Sequence, residues 1–136
     1  MVSRLDVAVL IAMLCAGAVL AVPRHAQIST ELRLSQVNAL ARGANTAAQL
    51  AHSRWLAAGQ PATIEGARGI VAMTNGYPSA ATLPLMLAEA EMLNFRYGGG
   101  VWQPAGVSAD QRCGVAYQPP AAPGKDPDII ALTSDC

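Results

Sequence analysis

The chain has 136 residues, of which 13% are charged, and its formal net charge at neutral pH is zero. This length allows one compact domain, and a chain without a basic field is not expected to bind nucleic acid. Hydrophobic residues make up 52% of the chain but aromatic residues only 4%. That balance is typical of helices that pack closely through small side chains, and it is unusual for an enzyme with a large core.

The N-terminal part of the chain carries an uncharged apolar run over residues 7–22. Arg4 and Asp6 precede the run, and Pro23 and Arg24 follow it. The run is slightly shorter than the about 20 residues that cross a bilayer, so flanking residues would extend it and Arg24 would snorkel to the interface. We therefore predict a membrane-anchoring helical segment over 1–24, with a cytoplasmic N-terminus.

Apolar residues continue beyond this run with helical spacing. They recur at three- and four-residue steps and predict one apolar face: Ile28, Leu32, Val37, Leu40, Ala41, Ala44, Ala47, Ala48, Ala51 and Trp55. Gly59 and Pro61 provide a stop. The pattern predicts a single helix over about 6–58, with its amphipathic half at 25–59. The alternative for the N-terminus is a secretory signal peptide cleaved after Ala21.

Residues 60–136 predict a small β-rich head. Asn75 and Gly76 predict a turn in which the glycine takes a positive φ, and Pro84 favours a short helix over Leu85–Phe95. The segments with strand character are Ala62–Ile64, Ile70–Thr74, Val101–Trp102, Cys113–Gln118 and Ile129–Thr133. The predicted fold class is α+β, with a small antiparallel sheet packed on the C-terminal half of the long helix.

The chain contains three cysteines, and two of them bracket its last segment. Cys15 lies in the apolar run, whereas Cys113 and Cys136 enclose a loop of roughly 20 residues. A disulfide between them would contribute about 3 kcal/mol in the chain-entropy treatment, provided that the compartment is oxidising. We predict this disulfide, with two free thiols as the alternative.

Patterns for catalysis or metal binding are weak. His25 and His52 are 27 residues apart on the predicted helix, too far to share a metal ion, and are expected to be interfacial or solvated. Asp126, Asp128 and Asp135 offer oxygen ligands for calcium, but without an EF-hand pattern a solvated loop is favoured. We find no catalytic triad pattern and no phosphate-binding glycine loop. We therefore expect no enzyme, no cofactor and no metal site.

Residues 6–24 resemble the N-terminal segment of type IV pilins and of the pseudopilins of type II secretion. In that family an acidic residue opens a long apolar helix and a proline follows at the spacing seen between Asp6 and Pro23. Residues 47–52 and 71–78, with the terminal cysteine pair, are similar to the MSHA-type pilin subgroup. The resemblance implies the pilin ladle fold and a structural subunit of a pilus that attaches cells to surfaces.

The resemblance also implies partners and an assembly mechanism. The expected partners are other pilin subunits in a homo-oligomeric filament, the inner membrane before assembly, and the pilus assembly machinery, with the head periplasmic or extracellular. Val2 falls at the family's processed, N-methylated first residue, and Asp6 would pair with the amino terminus of a neighbouring subunit. The expected assembly residues are therefore Val2, Asp6 and Pro23; the alternative for Asp6 is an interfacial carboxylate beside Arg4.

Two features differ from the family and leave alternatives open. Asp6 stands where the family has a glutamate, and Met1 precedes Val2 in place of a leader that ends in glycine. We expect either a start upstream or a subunit that is not processed. Two other functions are a pseudopilin of a type II secretion system and a secreted or tethered periplasmic binding module with a cleaved signal peptide.

Overall fold

The computed structural model describes residues 4–98 and 100–136, with the side chains of the first helix described from residue 28 onward. The chain divides into two compact units, 1–32 and 33–136. Within the described part of the chain, no helix is long and apolar enough to cross a membrane. Val2 and the side chains of the predicted anchoring segment, 1–24, lie outside the described residues.

The long helix predicted from the sequence is present as α1, Arg4–Ala57. It ends where the glycine signal predicts, because Gly59 adopts φ +83. The N–H of Gly59 donates to Leu56 O (3.2 Å) and the N–H of Gln60 donates to Trp55 O (2.9 Å). These two bonds form a Schellman motif, which satisfies carbonyls that have no partner within the helix.

Two antiparallel sheets follow the helix in the second unit. The first has three strands in the order β1 (Thr63–Glu65), β2 (Ile70–Thr74) and β3 (Tyr77–Pro78). The second has four strands in the order β4 (Phe95–Gly98), β5 (Val101–Pro104), β6 (Gly114–Gln118) and β7 (Asp128–Leu132). The predicted α+β class, with one long N-terminal helix and antiparallel strands, is confirmed.

The core of the second unit joins α1 to both sheets. Val37 and Leu40 of the helix belong to the same buried cluster as Val71 of β2, Trp102 of β5 and Val115 of β6. The remaining core positions of α1 are small and buried: Ala44, Ala47, Ala48 and Ala51. These alanines share one buried cluster with the strand residues of both sheets. The alanine-rich composition thus has a packing role in the head.

The predicted helix over Leu85–Phe95 is not present. The chain instead forms a 3-10 helix at Leu83–Met86, a single α-helical turn, α2, at Glu89–Met92, and then strand β4. Leu87 and Ala88, between the two helical turns, have extended backbones with ψ of 152 and 148. The apolar spacing in this region therefore does not correspond to one helical face.

Arg68 provides the physical reason for this interruption. Its backbone N–H donates to Leu85 O (3.0 Å), and its guanidinium donates to Pro84 O (2.8 Å) and Leu87 O (3.1 Å). In a continuous helix these carbonyls would accept from backbone N–H groups four residues later. The charged guanidinium of Arg68 therefore competes with the backbone hydrogen bonds that would form a continuous helix.

Candidate functional site

The predicted disulfide between Cys113 and Cys136 is present, with an S–S distance of 2.10 Å and a Cα–Cα distance of 4.9 Å. Cys113 is fully buried directly before β6. Beside the bridge, the N–H of Arg112 donates to Asp135 Oδ2 (2.9 Å), and the N–H of Asp135 donates to Arg112 O (3.2 Å). The segment after β7 is therefore fixed to the segment before β6 by covalent and polar contacts.

An aromatic stack connects α1 to the hairpin between β2 and β3. The rings of His52 and Tyr77 are nearly parallel, with centroids 4.4 Å apart and an interplanar angle of 6°. His52 Nδ1 lies 2.7 Å from Gly76 O, so this nitrogen carries the hydrogen and donates. Trp55 also stacks on His52, with ring centroids 5.7 Å apart and an interplanar angle of 26°. His52 is thus half-buried between α1 and the hairpin, where the sequence predicted an interfacial or solvated side chain.

The two segments similar to the MSHA-type subgroup, 47–52 and 71–78, contact each other through this stack. Nothing in the local spacing of either segment predicts the contact, because they are separated by the end of α1 and by β1. No family model, curated protein or solved structure matches the chain. The likeness to pilins therefore stays a prediction from the sequence.

Side chains of the same hairpin also bind the loop between β6 and β7. Tyr77 OH donates to Asp126 Oδ1 (2.9 Å), and Asn75 Nδ2 donates to Pro120 O (2.7 Å). Burial, and then the hydrogen bond to Asp126, raise the pKa of Tyr77 above its usual value. Asp126, one of the three aspartates considered as calcium ligands, is thus hydrogen-bonded to Tyr77.

A third tyrosine contact ties the two sheets together. Tyr117 of β6 donates from its hydroxyl to Pro78 O of β3 over 2.6 Å, and this bond is buried. Burial raises the pKa of Tyr117 well above that of a solvated tyrosine, and Tyr77 adds a smaller effect in the same direction. Both tyrosines therefore act as hydrogen-bond donors that stay protonated at neutral pH.

The acidic residues of the C-terminal region do not converge in the structure. Asp126 accepts from Tyr77 and Asp135 accepts from the Arg112 backbone, while the side chain of Asp128 lies on β7. Among the side chains that the structure describes, those of residues 28–98 and 100–136, no group of three His, Cys, Asp or Glu is placed to hold a metal ion. The grouping of the three aspartates in the sequence is not a grouping in space.

Helix α1 has more apolar side chains than the core of the second unit uses. In that unit Ala39 and Leu50 are exposed, Leu50 to 45%. They are about three turns apart and so share a face that the core does not cover. In the first unit Ile28 and Leu32 are one turn apart and are exposed to 60% and 57%. The sequence had placed both residues on the same apolar face as the positions that are buried in the second unit. Leu56 is also exposed, to 50%, near the end of α1. We call the four residues that precede it, Ile28, Leu32, Ala39 and Leu50, the exposed apolar set of α1.

The predicted assembly residues belong to the same helix or precede it. Asp6 and Pro23 lie within the α-helical backbone of α1, although their side chains are outside the described residues. Val2 lies outside the described residues altogether. The members of the exposed apolar set in each unit are therefore the candidate assembly residues whose side chains the structure describes.

Proposed function

We propose that this chain is a structural subunit of a type IV, MSHA-like pilus used in surface attachment, and that it has the pilin ladle fold. In this proposal copies assemble by packing their N-terminal helices against one another. The observation that carries it is the exposed apolar set of α1, because exposed apolar side chains on a helix are stabilised when a second helix covers them.

The length of α1 supports the same function. The helix has 54 residues, or about 80 Å at 1.5 Å per residue, whereas a helix in a globular protein averages about 11–12 residues. Among its described side chains, those from residue 28 onward, the buried ones lie at positions 37–51. A helix of this length is far longer than the head needs, and its apolar start at 7–22 fits first a bilayer and then a bundle of identical helices.

Asp6 gives the proposed assembly its register. An unpaired carboxylate in an apolar environment costs at least a few kcal/mol, so it either stays at an interface or meets a cation. The amino terminus of a neighbouring subunit supplies that cation in the proposed filament. Pairing of the two charges fixes one helix axially against the next.

The disulfide supports a location outside the cytoplasm. Structural disulfides form and persist in oxidising compartments such as the bacterial periplasm and the cell surface. The bond between Cys113 and Cys136 lies entirely within the head. In the proposed function the head is therefore periplasmic before assembly and extracellular in the pilus.

The test is to express the chain in a pilus-forming bacterium, shear the surface filaments and measure the mass of the mature N-terminus. We expect the chain in the filaments with its helix intact from Val2 or from a residue upstream. A mature chain that starts at Val22 would overturn the proposal in favour of a secreted module. Retention in the envelope, with none in sheared filaments, would instead favour a pseudopilin.

A second test addresses Asp6 directly. We expect Asp6→Ala to lower incorporation into filaments more than it lowers insertion into the inner membrane, because the apolar run itself is unchanged. Asp6→Glu is the matched control, since it keeps the carboxylate and lengthens it by one methylene, and it should assemble. Equal incorporation of Asp6→Ala and the wild type would count against a charge-pairing role.

A further inference from the structure

The four-stranded sheet has two edge strands that pair on one side only. Among the described residues β4 pairs with β5 alone, and β7 pairs with β6 alone. An edge strand presents backbone N–H and C=O groups that another strand can bind, and proteins usually shield or charge such edges. Both edges of this sheet carry a charged residue, and the two charges have opposite signs.

Arg96 of β4 and Asp128 of β7 lie on the same face of the sheet. The register places Tyr97, Trp102, Val115 and Ala131 in one row across the four strands, and this row faces the core. Side chains alternate along a strand, so Arg96 and Asp128 both point to the opposite face. Within the described part of the chain neither side chain has a hydrogen bond or an ion pair, and both are exposed.

We propose that the heads of neighbouring copies join edge to edge, with β4 of one copy paired antiparallel to β7 of the next. All neighbouring strands in this sheet are antiparallel, so β7 runs opposite to β4. A copy displaced sideways without inversion therefore presents its β4 in the antiparallel direction. Pairing of two β4 edges or two β7 edges would instead place like charges together, which is unfavourable.

The alternation of side chains selects the register of this contact. Core-face residues must meet core-face residues, because a shift by one residue would turn every side chain to the wrong face. In the register in which all four residues of β4 pair with residues of β7, Tyr97 lies opposite the next copy's Ile129 and Arg96 lies opposite its Ile130. Tyr97 and Ile130 are each about half exposed in a single copy, at 51% and 54%. Arg96 then reaches Asp128 diagonally, two residues along the same face.

The contact is open-ended, since each copy offers one edge of each kind. Such a head-to-tail interface continues from copy to copy and does not close a dimer. Four residue pairs bury far less than the about 1,200–2,000 Å² of a stable interface. The inference therefore rests on the proposed filament, in which helix packing brings the heads together, and the edge contact then fixes their lateral order.

The experiment uses two full-length chains, each with Cys15→Ser so that no thiol remains outside the native disulfide. One chain carries Tyr97→Cys and the other Ile129→Cys. The two are mixed and mildly oxidised, both in sheared filaments and as concentrated protein in detergent, and the mixed dimer is measured on a non-reducing gel. The matched control replaces Ile129→Cys with Ile130→Cys, which places the thiol one residue away on the other face.

We expect the mixed dimer with Ile129→Cys and little or none with the control pair. Adding Arg96→Glu to the first chain should lower the yield roughly 1.5- to 5-fold, and adding Asp128→Lys to the second should restore it. No mixed dimer in either preparation, or equal yields from both pairs, would overturn the edge contact even if filaments form. Absence of the chain from filaments would overturn the proposed function, while a mixed dimer in detergent would still support the edge contact.

Discussion

Removal of the disulfide is the perturbation whose magnitude follows most directly from the structure. The bridge joins positions separated by 23 residues. For a loop of this length the chain-entropy relation gives about 11 cal/mol/K, or about 3.4 kcal/mol at 25 °C. We therefore expect the double variant Cys113→Ala, Cys136→Ala to lose about 3–4 kcal/mol of unfolding free energy, and roughly 15–20 °C in Tm for a head of this size.

The assay is urea unfolding of the full chain in detergent, followed by tryptophan fluorescence. Trp102 is 2% exposed in β5 and reports on the sheet that the disulfide closes. Cys15→Ala is the control and should unfold like the wild type, whereas reduction of the wild type should reproduce the double variant. A loss below about 1 kcal/mol would refute the reasoning, because it would mean that the bonds between Arg112 and Asp135 hold the segment alone.

Three further outcomes follow from single contacts. Tyr117→Phe should lose about 1 kcal/mol at pH 7, because Pro78 O loses a buried donor. Since burial raises the pKa of Tyr117, its stabilisation is present below about pH 10 and is lost as pH rises further. Above about pH 10, the unfolding free energy should therefore fall less steeply with pH in Tyr117→Phe than in the wild type. Gly76→Ala should lose more stability in urea than Gly124→Ala: both have positive φ (90 and 81), but only at Gly76 would a Cβ lie within 3 Å of a side-chain atom of α1. Ala48→Leu should lose about 1–3 kcal/mol by thermal unfolding, because the fully buried position has no room for three more carbons.

The elements that the sequence predicted well are those with strong local signals. The helix stop at Gly59 needs only a residue that tolerates positive φ, and that signal is visible without any tertiary contact. Strand β2 lies at Ile70–Thr74 as predicted, because a β-branched apolar run is bounded by glycine on one side and by the turn at Asn75 on the other. The cysteine pairing was predictable because only two cysteines lie in the head.

The elements that were missed depend on partners far along the chain. The helix predicted over Leu85–Phe95 had suitable apolar spacing, but Arg68 binds the carbonyls that such a helix needs. Strand β4, Phe95–Gly98, was not predicted, because the predicted helix ends at Phe95 and the next three residues carry no strand signal. The stack of His52 on Tyr77 was missed for the same kind of reason, since neither residue carries a local signal for the other.

The hairpin between β2 and β3 also determines how the head would transmit tension. Among the described residues the two sheets share no strand pairing, so a pull on α1 reaches the second sheet through the shared core and through side-chain bonds such as those from His52 to Gly76 and from Tyr77 to Asp126. These bonds should break before the strands of either sheet separate, while the disulfide keeps the last strand attached. Force spectroscopy on the oxidised chain should therefore record a first, small extension that Tyr77→Phe weakens, and an unchanged first step would exclude this route for the load.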